Sequence, residues 1–197
     1  MNARLPKLTL QPLTPDRWDD FEALFMSRGC SVARGCWCMY YRVSGRESGL
    51  LGAERAKRNK RAMKKVVAEG PPPGLIGYRD GKPVGWISLG PRERYRKLEK
   101  SPVMKPVDDA KVWSVICFVV PSEFRGQGVA KALLDGAKTW AEQQGARLLE
   151  AYPVDKPGRG DDQNYWFGTK SMFDAAGFEE VARRKPTRPV VRLTLRR

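Results

Sequence analysis

Hydrophobic side chains recur along this chain at two spacings, every second residue and every third or fourth, and the switches between them mark its elements. The longest strand-like run is Val112 to Val120, apolar at almost every position and stopped by Pro121. That pattern suits a strand buried on both faces. From Val129 to Gln144 the apolar positions are Ala130, Leu133, Leu134, Ala137 and Ala141, one face of a helix that Gly145 closes. Upstream, Leu8 to Pro12 reads as a short first strand. Thr14 and Pro15 read as the N-cap and first position of a helix with Trp18, Phe21, Leu24 and Phe25 on one side, ending near Gly29. Gly52 to Glu69 predicts a basic helix whose apolar side is Ala56, Met63, Val66 and Val67, ended by Gly70 and Pro71 to Pro73. Leu75 to Tyr78 and Pro83 to Leu89 flank Asp80-Gly81, a hairpin signal.

Gly90 to Pro106 is a charged, irregular connection with one helical turn near Arg94 to Glu99, or else a mobile flap over a substrate. Beyond Gly145, Arg147 to Tyr152 is another apolar strand, and Pro153 to Gln163 is a Gly/Pro/Asp-rich loop. Thr169 to Ala176 predicts a helix closed by Gly177, followed by a strand from Phe178 to Arg183. In the final strand, Val190 to Leu195, Val190, Arg192 and Thr194 oppose Val191, Leu193 and Leu195. The chain has no internal repeat.

At 197 residues and 41% hydrophobic content the whole chain, residues 1–197, reads as a single globular domain. No apolar run approaches the ~20 residues of a membrane span. Met1 to Gln11 lacks the apolar core of a secretion signal, so a cytoplasmic location without membrane contact is expected. In that compartment the four cysteines read as free thiols. Cys30, Cys36 and Cys38 lie close to Trp37, Tyr40 and Tyr41. A zinc site needs four ligands, so the favoured reading is thiols packed among aromatics, with no metal. Histidine is absent altogether, which excludes Ser–His and Cys–His dyads and leaves carboxylate, Tyr, Cys, Lys or water for proton transfer.

The net charge of +15 is gathered in three windows: Glu54 to Lys65 at +6, Arg92 to Pro106 at +4, and Arg183 to Arg197 at +7. Such faces suit an anionic substrate, nucleic acid or the phosphates of a coenzyme, and equally a solubilising surface. No nucleic-acid-reading motif accompanies them, so no specific nucleic acid is expected as a partner. Binding to DNA or RNA should collapse at physiological salt; submicromolar, sequence-dependent binding in a salt titration would reverse that reading.

Between the long strand and its helix lies Arg125-Gly-Gln-Gly-Val-Ala130. A glycine-containing turn delivers the chain there into a helix N-terminus, where unpartnered N–H groups and the helix dipole suit a diphosphate. The segment resembles motif A of the GNAT superfamily of N-acetyltransferases, whose loop reads Arg/Gln-x-x-Gly-x-Gly/Ala; Arg125, Gly128 and Ala130 satisfy it. The element order fits the same fold from Leu8 to Leu195. The resemblance implies an α/β fold with a mixed, partly splayed sheet of six or seven strands flanked by helices. It implies acetyl-coenzyme A as cosubstrate, with Arg125, Gly126, Gln127, Gly128, Val129 and Ala130 at its pyrophosphate and Phe118 and Val119 along its pantetheine arm. A splay between the fourth and fifth strands is then expected, with a backbone N–H near Val119 polarising the thioester.

The resemblance further implies direct attack by an amine of a small molecule or peptide, without an acyl-enzyme. The acceptor is not identified; the basic windows hint that it is acidic. Val112 to Val120 holds no carboxylate, and Leu149-Glu150-Ala151 resembles a Leu-Glu-Val found in members that acetylate protein N-termini, which makes Glu150 the candidate base. A Glu in an apolar strand also invites a raised pKa; the plain alternative is a strand-edge ion pair. Where the family usually has Tyr-x-x-x-Gly-Phe, this chain has Phe173-Asp-Ala-Ala-Gly177-Phe178, so the phenolic acid is missing, with Ser171, Tyr165 or water as substitutes. The competing class is a non-catalytic module that senses coenzyme A or binds nucleic acid. The oligomeric state is open, a homodimer being one option.

Overall fold

A computed structural model describes residues 7–43, 52–156 and 166–195. In chain order its elements are β1 (Thr9–Pro12), α1 (Trp18–Met26), α2 (Ser31–Cys36), α3 (Gly52–Glu69), β2 (Gly74–Arg79) and β3 (Lys82–Pro91). Then follow β4 (Trp113–Val119), α4 (Val129–Gln143), β5 (Leu148–Ala151), α5 (Lys170–Ala175), β6 (Glu179–Lys185) and β7 (Arg188–Thr194). The strands form one seven-stranded sheet in the order β1-β2-β3-β4-β5-β7-β6. Every neighbouring pair is antiparallel except β4 and β5. The mixed sheet flanked by helices agrees with the fold expected from the sequence.

Local chemistry accounts for most of these boundaries. Asp80 and Gly81 both take positive φ, 50° and 74°, the pair of left-handed residues that a type I′ hairpin turn requires between β2 and β3. On α4 the side chains of Val129, Leu133, Leu134, Ala137 and Ala141 are buried against Leu75, Ile87, Leu89, Val115 and Leu149 of the sheet. The approach is close at Gly85, where a Cβ would come within 2.8 Å of Val129 and 2.9 Å of Leu133. On the other face α1 and α3 enclose Phe21, Phe25, Trp37, Met63, Val67 and Trp86. A third cluster joins Tyr95, Leu98 and Met104 of the Gly90–Pro106 connection to Ile116, Tyr152, Phe167 and Val190. Among the described residues no helix is long and apolar enough to cross a membrane.

The structure refines the sequence reading at three places. Thr14 and Pro15 take the N-cap and first position as expected, but of a 3₁₀ turn, Pro15–Arg17, that precedes α1, and the Thr14 hydroxyl makes no capping bond, accepting instead from Arg17 Nη1 at 2.6 Å. Ser31–Cys36 forms a short helix with no sequence signal, since six residues are too few to show a period. Of the two alternatives for Gly90–Pro106 the helical turn is present and the flap is not: two 3₁₀ turns, Arg92–Arg94 and Arg96–Leu98, pack with Leu98 and the intervening Tyr95 fully buried. Tyr165 and the Pro157–Gln163 part of the expected loop lie outside the described residues.

Candidate active site

The β4–β5 ladder contains only Trp113–Leu149, Ser114–Glu150 and Val115–Ala151. Beyond it the two strands part, and the reason lies in β4's other partner. The β3 register slips between Ser88–Cys117 and Leu89–Val115, so that Ile116 is the extra residue of a bulge. Bulges bend and twist a strand. After the bulge, the Phe118 N–H is taken not by β5 but by the Trp166 carbonyl, at 2.6 Å. The Val154–Thr169 bridge closes the wedge at its wide end. The splay expected from the sequence is therefore present, with Trp166 inside it.

Two cavities open on either side of this wedge. The first, about 480 Å³, lies between the end of β4, the start of α4 and the start of α5. Phe118, Val119, Arg125, Gly126, Gly128, Val129 and Ala130 all line it. Gly126 and Gly128 take φ of 72° and 77°, and a Cβ on either would meet nothing within 4 Å. Backbone thus faces open space at the N-terminus of a 15-residue helix, where the first N–H groups lack intrahelical partners. The arrangement fits a diphosphate. Two of the expected cofactor residues behave differently from the rest. Arg125 lines the cavity, but its guanidinium donates to the carbonyls of Val120 at 3.0 Å and Gly29 at 2.6 Å, stapling the end of β4 to the α1–α2 turn. Gln127 does not line the cavity; its side chain donates to the Glu123 carbonyl and accepts from Arg79.

The second cavity, about 570 Å³, is bounded by α2, α3, the Tyr40–Tyr41 segment, Lys97 and the bulged part of β4. It shares Val32 and Trp166 with the first. Arg55, Arg58 and Lys97 stand on its walls, with Lys97 Nζ 3.8 Å from the centre of the Tyr40 ring. Among the described residues no Asp or Glu lines either cavity.

The cysteines divide differently from their order along the chain. Cys30 is buried beneath the first cavity, whereas Cys36, Cys38 and the distant Cys117 line the second. All four are free, and among the described residues no group of three or more Cys, Asp or Glu could hold a metal ion. Burial pushes the Cys36 thiol up to about 11, with the neighbouring Cys38 charge adding to the effect. Burial also raises the Tyr41 phenol.

Glu150 lines neither cavity. Its carboxylate is fully buried: Oε1 accepts from Arg92 Nη1 at 2.5 Å and from the Tyr152 hydroxyl at 2.6 Å, and Oε2 accepts from Arg192 Nε at 2.8 Å. Sheet register builds this arrangement, since Ser114, Glu150 and Arg192 are direct neighbours across β4, β5 and β7. The guanidinium of Arg92 descends on the ladder from the 3₁₀ turn and also donates to the Met104 carbonyl. The apolar surrounding expected of Glu150 is thus replaced by two guanidinium groups. Sequence reasoning missed Arg92 and Tyr152, although the i, i+2 spacing of Glu150 and Tyr152 on one strand and the polar face of Arg192 on another were signals for a shared face.

Phe173 is fully buried against Phe118 and Phe178, so no phenol stands in its place. The nearest hydroxyl on the first cavity is that of Thr169, which caps α5 and lies 3.1 Å from the exposed Ser171 hydroxyl.

Residues 38–160 match the family model described as the acetyltransferase (GNAT) family. No curated protein matches the chain. Among solved structures, an acetyltransferase of the same family from Streptococcus agalactiae is 13% identical with a TM-score of 0.57, and all of both chains are covered. An acetyltransferase from Thermus thermophilus is 16% identical with a TM-score of 0.54, covering 98% of this chain and all of the other. A chain of the NatC complex, solved with Gag peptide and coenzyme A, is 13% identical with a TM-score of 0.54, covering 96% and 99%.

Proposed function

For a chain that belongs to the GNAT family of acetyltransferases, we propose acetyl transfer from acetyl-coenzyme A to a primary amine carrying an acidic group, on a small molecule or peptide, by direct attack on the thioester. The family uses acetyl-coenzyme A. The observation that carries the reading is the pair of cavities meeting at Val32 and Trp166, one edged by the α4 N-terminus and the other by cations.

In this reading the backbone of Gly126 to Ala130 takes the pyrophosphate, and Phe118 and Val119 take the pantetheine arm. Arg125 holds the loop in shape, and Gln127 contributes through its main chain alone. The amine enters the second cavity, its acidic group towards Arg55, Arg58 and Lys97. Tyr40 and Tyr41 give it apolar walls. Departure of the coenzyme thiolate needs no dedicated acid, because a thiol of pKa ~8.5 leaves tolerably as the anion. Glu150 is assigned to holding the ladder of β4, β5 and β7 together rather than to taking the proton.

A panel of amines with and without a carboxylate, assayed for thiol release from acetyl-coenzyme A, tests this. Acidic acceptors should turn over best, and Lys97→Glu should raise their KM while leaving coenzyme A affinity unchanged. Coenzyme A binding without turnover of any amine would turn the protein into a sensing module. A preference for basic amines would overturn the acceptor assignment.

A further inference from the structure

We propose that Cys38, as a thiolate, is the group that accepts the proton of the attacking amine. The inference rests on the reading of the second cavity as the acceptor site. It begins from what the cavity contains. Histidine is absent from the chain, and among the described residues the cavity walls carry no carboxylate. The remaining side chains there that could bind a proton are Cys36, Cys38, Cys117, Tyr40, Tyr41 and Lys97.

Cys38 differs from the others in how it is held. Its sulfur accepts the Trp86 indole N–H at 3.2 Å. An indole N–H only donates, so the sulfur must be the acceptor. Trp37 and Cys38 both take left-handed backbone conformations, φ 49° and 53°, which L-residues rarely adopt. That turn carries the thiol under Trp86 of β3 and beside Cys117 of β4. The charged and titratable groups acting on it are Arg42 and Cys36 from its own segment, Cys117 from β4 and Tyr95 from between the two 3₁₀ turns, while Arg55 and Arg58 of α3, Tyr40, Tyr41 and Lys97 line the same cavity.

Electrostatics agree with the geometry. The neighbouring Cys117 thiol, whose Sγ also lies 3.7 Å from the Phe118 carbonyl, pulls the Cys38 pKa down; burial opposes, and Trp86 and the Arg42 charge add to the lowering. The same contact raises the Cys117 thiol well above its usual range. The two shifts run in opposite directions, so of the pair Cys38 is the thiol that gives up its proton first.

The proton balance closes. The acceptor ammonium gives one proton to the Cys38 sulfur. The freed nitrogen lone pair forms the N–C bond to the acetyl carbonyl carbon. The C–S bond breaks with its electron pair going to the coenzyme sulfur, which takes the second amine proton. Cys38 then returns its proton to solvent.

The test compares the wild-type chain with Cys38→Ser and Cys117→Ala. Ultraviolet thiolate absorbance, followed against pH in the absence of substrate, should show a thiol ionising below the ordinary ~8.5, and Cys38→Ser should remove it. In turnover, Cys38→Ser keeps the shape but loses the base. The rate at neutral pH should fall about 10²-fold, with the deficit shrinking as pH approaches the pKa of the amine. Cys117→Ala removes the neighbour that lowers Cys38, so the acid limb of the pH–rate profile should move to higher pH. Coenzyme A affinity, measured by calorimetry, should be that of the wild type in both variants. No low-pH thiolate, or a Cys38→Ser enzyme with the wild-type rate and acid limb, would overturn the assignment. A wild-type protein that binds coenzyme A and acetylates no amine would overturn the acetyl-transfer reading, and the base with it.

Discussion

Glu150→Gln should lower the melting temperature by about 6–12 °C. The substitution keeps the shape of the side chain but leaves two guanidinium groups, on Arg92 and Arg192, without the carboxylate that joins them. Removing one partner of a buried ion pair costs about 3–5 kcal/mol. The lower end applies here, because Glu99 still pairs with Arg92 at 3.3 Å and Asp108 with Arg192 at 2.6 Å. For a chain of this size about 2–4 °C accompanies each kcal/mol. Thermal unfolding followed by circular dichroism measures the shift. The same variant separates the two roles that Glu150 could have. A base would show a rate deficit that shrinks as pH rises. A clamp shows lost stability with the shape of the pH–rate profile intact, and that is the expected result. A variant as stable as the wild type, with its acid limb gone, would restore Glu150 as the base.

The second large effect belongs to Gly128. Coenzyme A at a hundredfold excess over its Kd stabilises a protein by about 2.7 kcal/mol, or about 5–10 °C here, and Gly128→Asp should abolish that rise. Asp is among the few residues that tolerate the left-handed conformation found at Gly128, and a Cβ there meets nothing within 4 Å, so the fold should survive. The carboxylate then lies among the N–H groups at the start of α4, where it competes with phosphate and repels it. Calorimetry showing equal coenzyme A affinity for the two proteins would remove the loop from the binding site.

What the sequence disclosed depended on how far apart the cooperating residues lie. The Arg125–Ala130 loop is local: strand, glycines and helix N-terminus occupy one continuous stretch, and each part follows from φ preference and periodicity. Of its residues, Gly126, Gly128, Val129 and Ala130 line the first cavity, Arg125 lines it with its guanidinium spent on two carbonyls, and Gln127 does not line it. The Glu150 clamp is not local. Arg92 is 58 residues away and Arg192 is 42 away, and only strand order and register bring them together. Alternation put Arg192 on the polar face of its strand but could not say which strand would lie alongside. The cysteines make the same point. Adjacency in sequence grouped Cys30 with Cys36 and Cys38, whereas the fold assigns Cys30 to the other cavity and brings in Cys117. The aromatic packing around them, the favoured reading, holds for Trp37, which shares a buried cluster with Cys30 and Cys38, but it left out Trp86, whose indole N–H makes a polar contact on Cys38.

The hydrogen bond from Phe118 to the Trp166 carbonyl also bears on the order of events. A pantetheine arm running along β4 needs that N–H, and finds it taken. Exchanging one carbonyl for another at a single donor is nearly neutral in free energy, so the arm can win the place only through its contacts elsewhere. The displaced carbonyl belongs to the residue whose indole walls both cavities. If the first cavity holds the coenzyme as proposed, taking that N–H would shift a wall of the second, and the acceptor should bind more tightly once the coenzyme is in place.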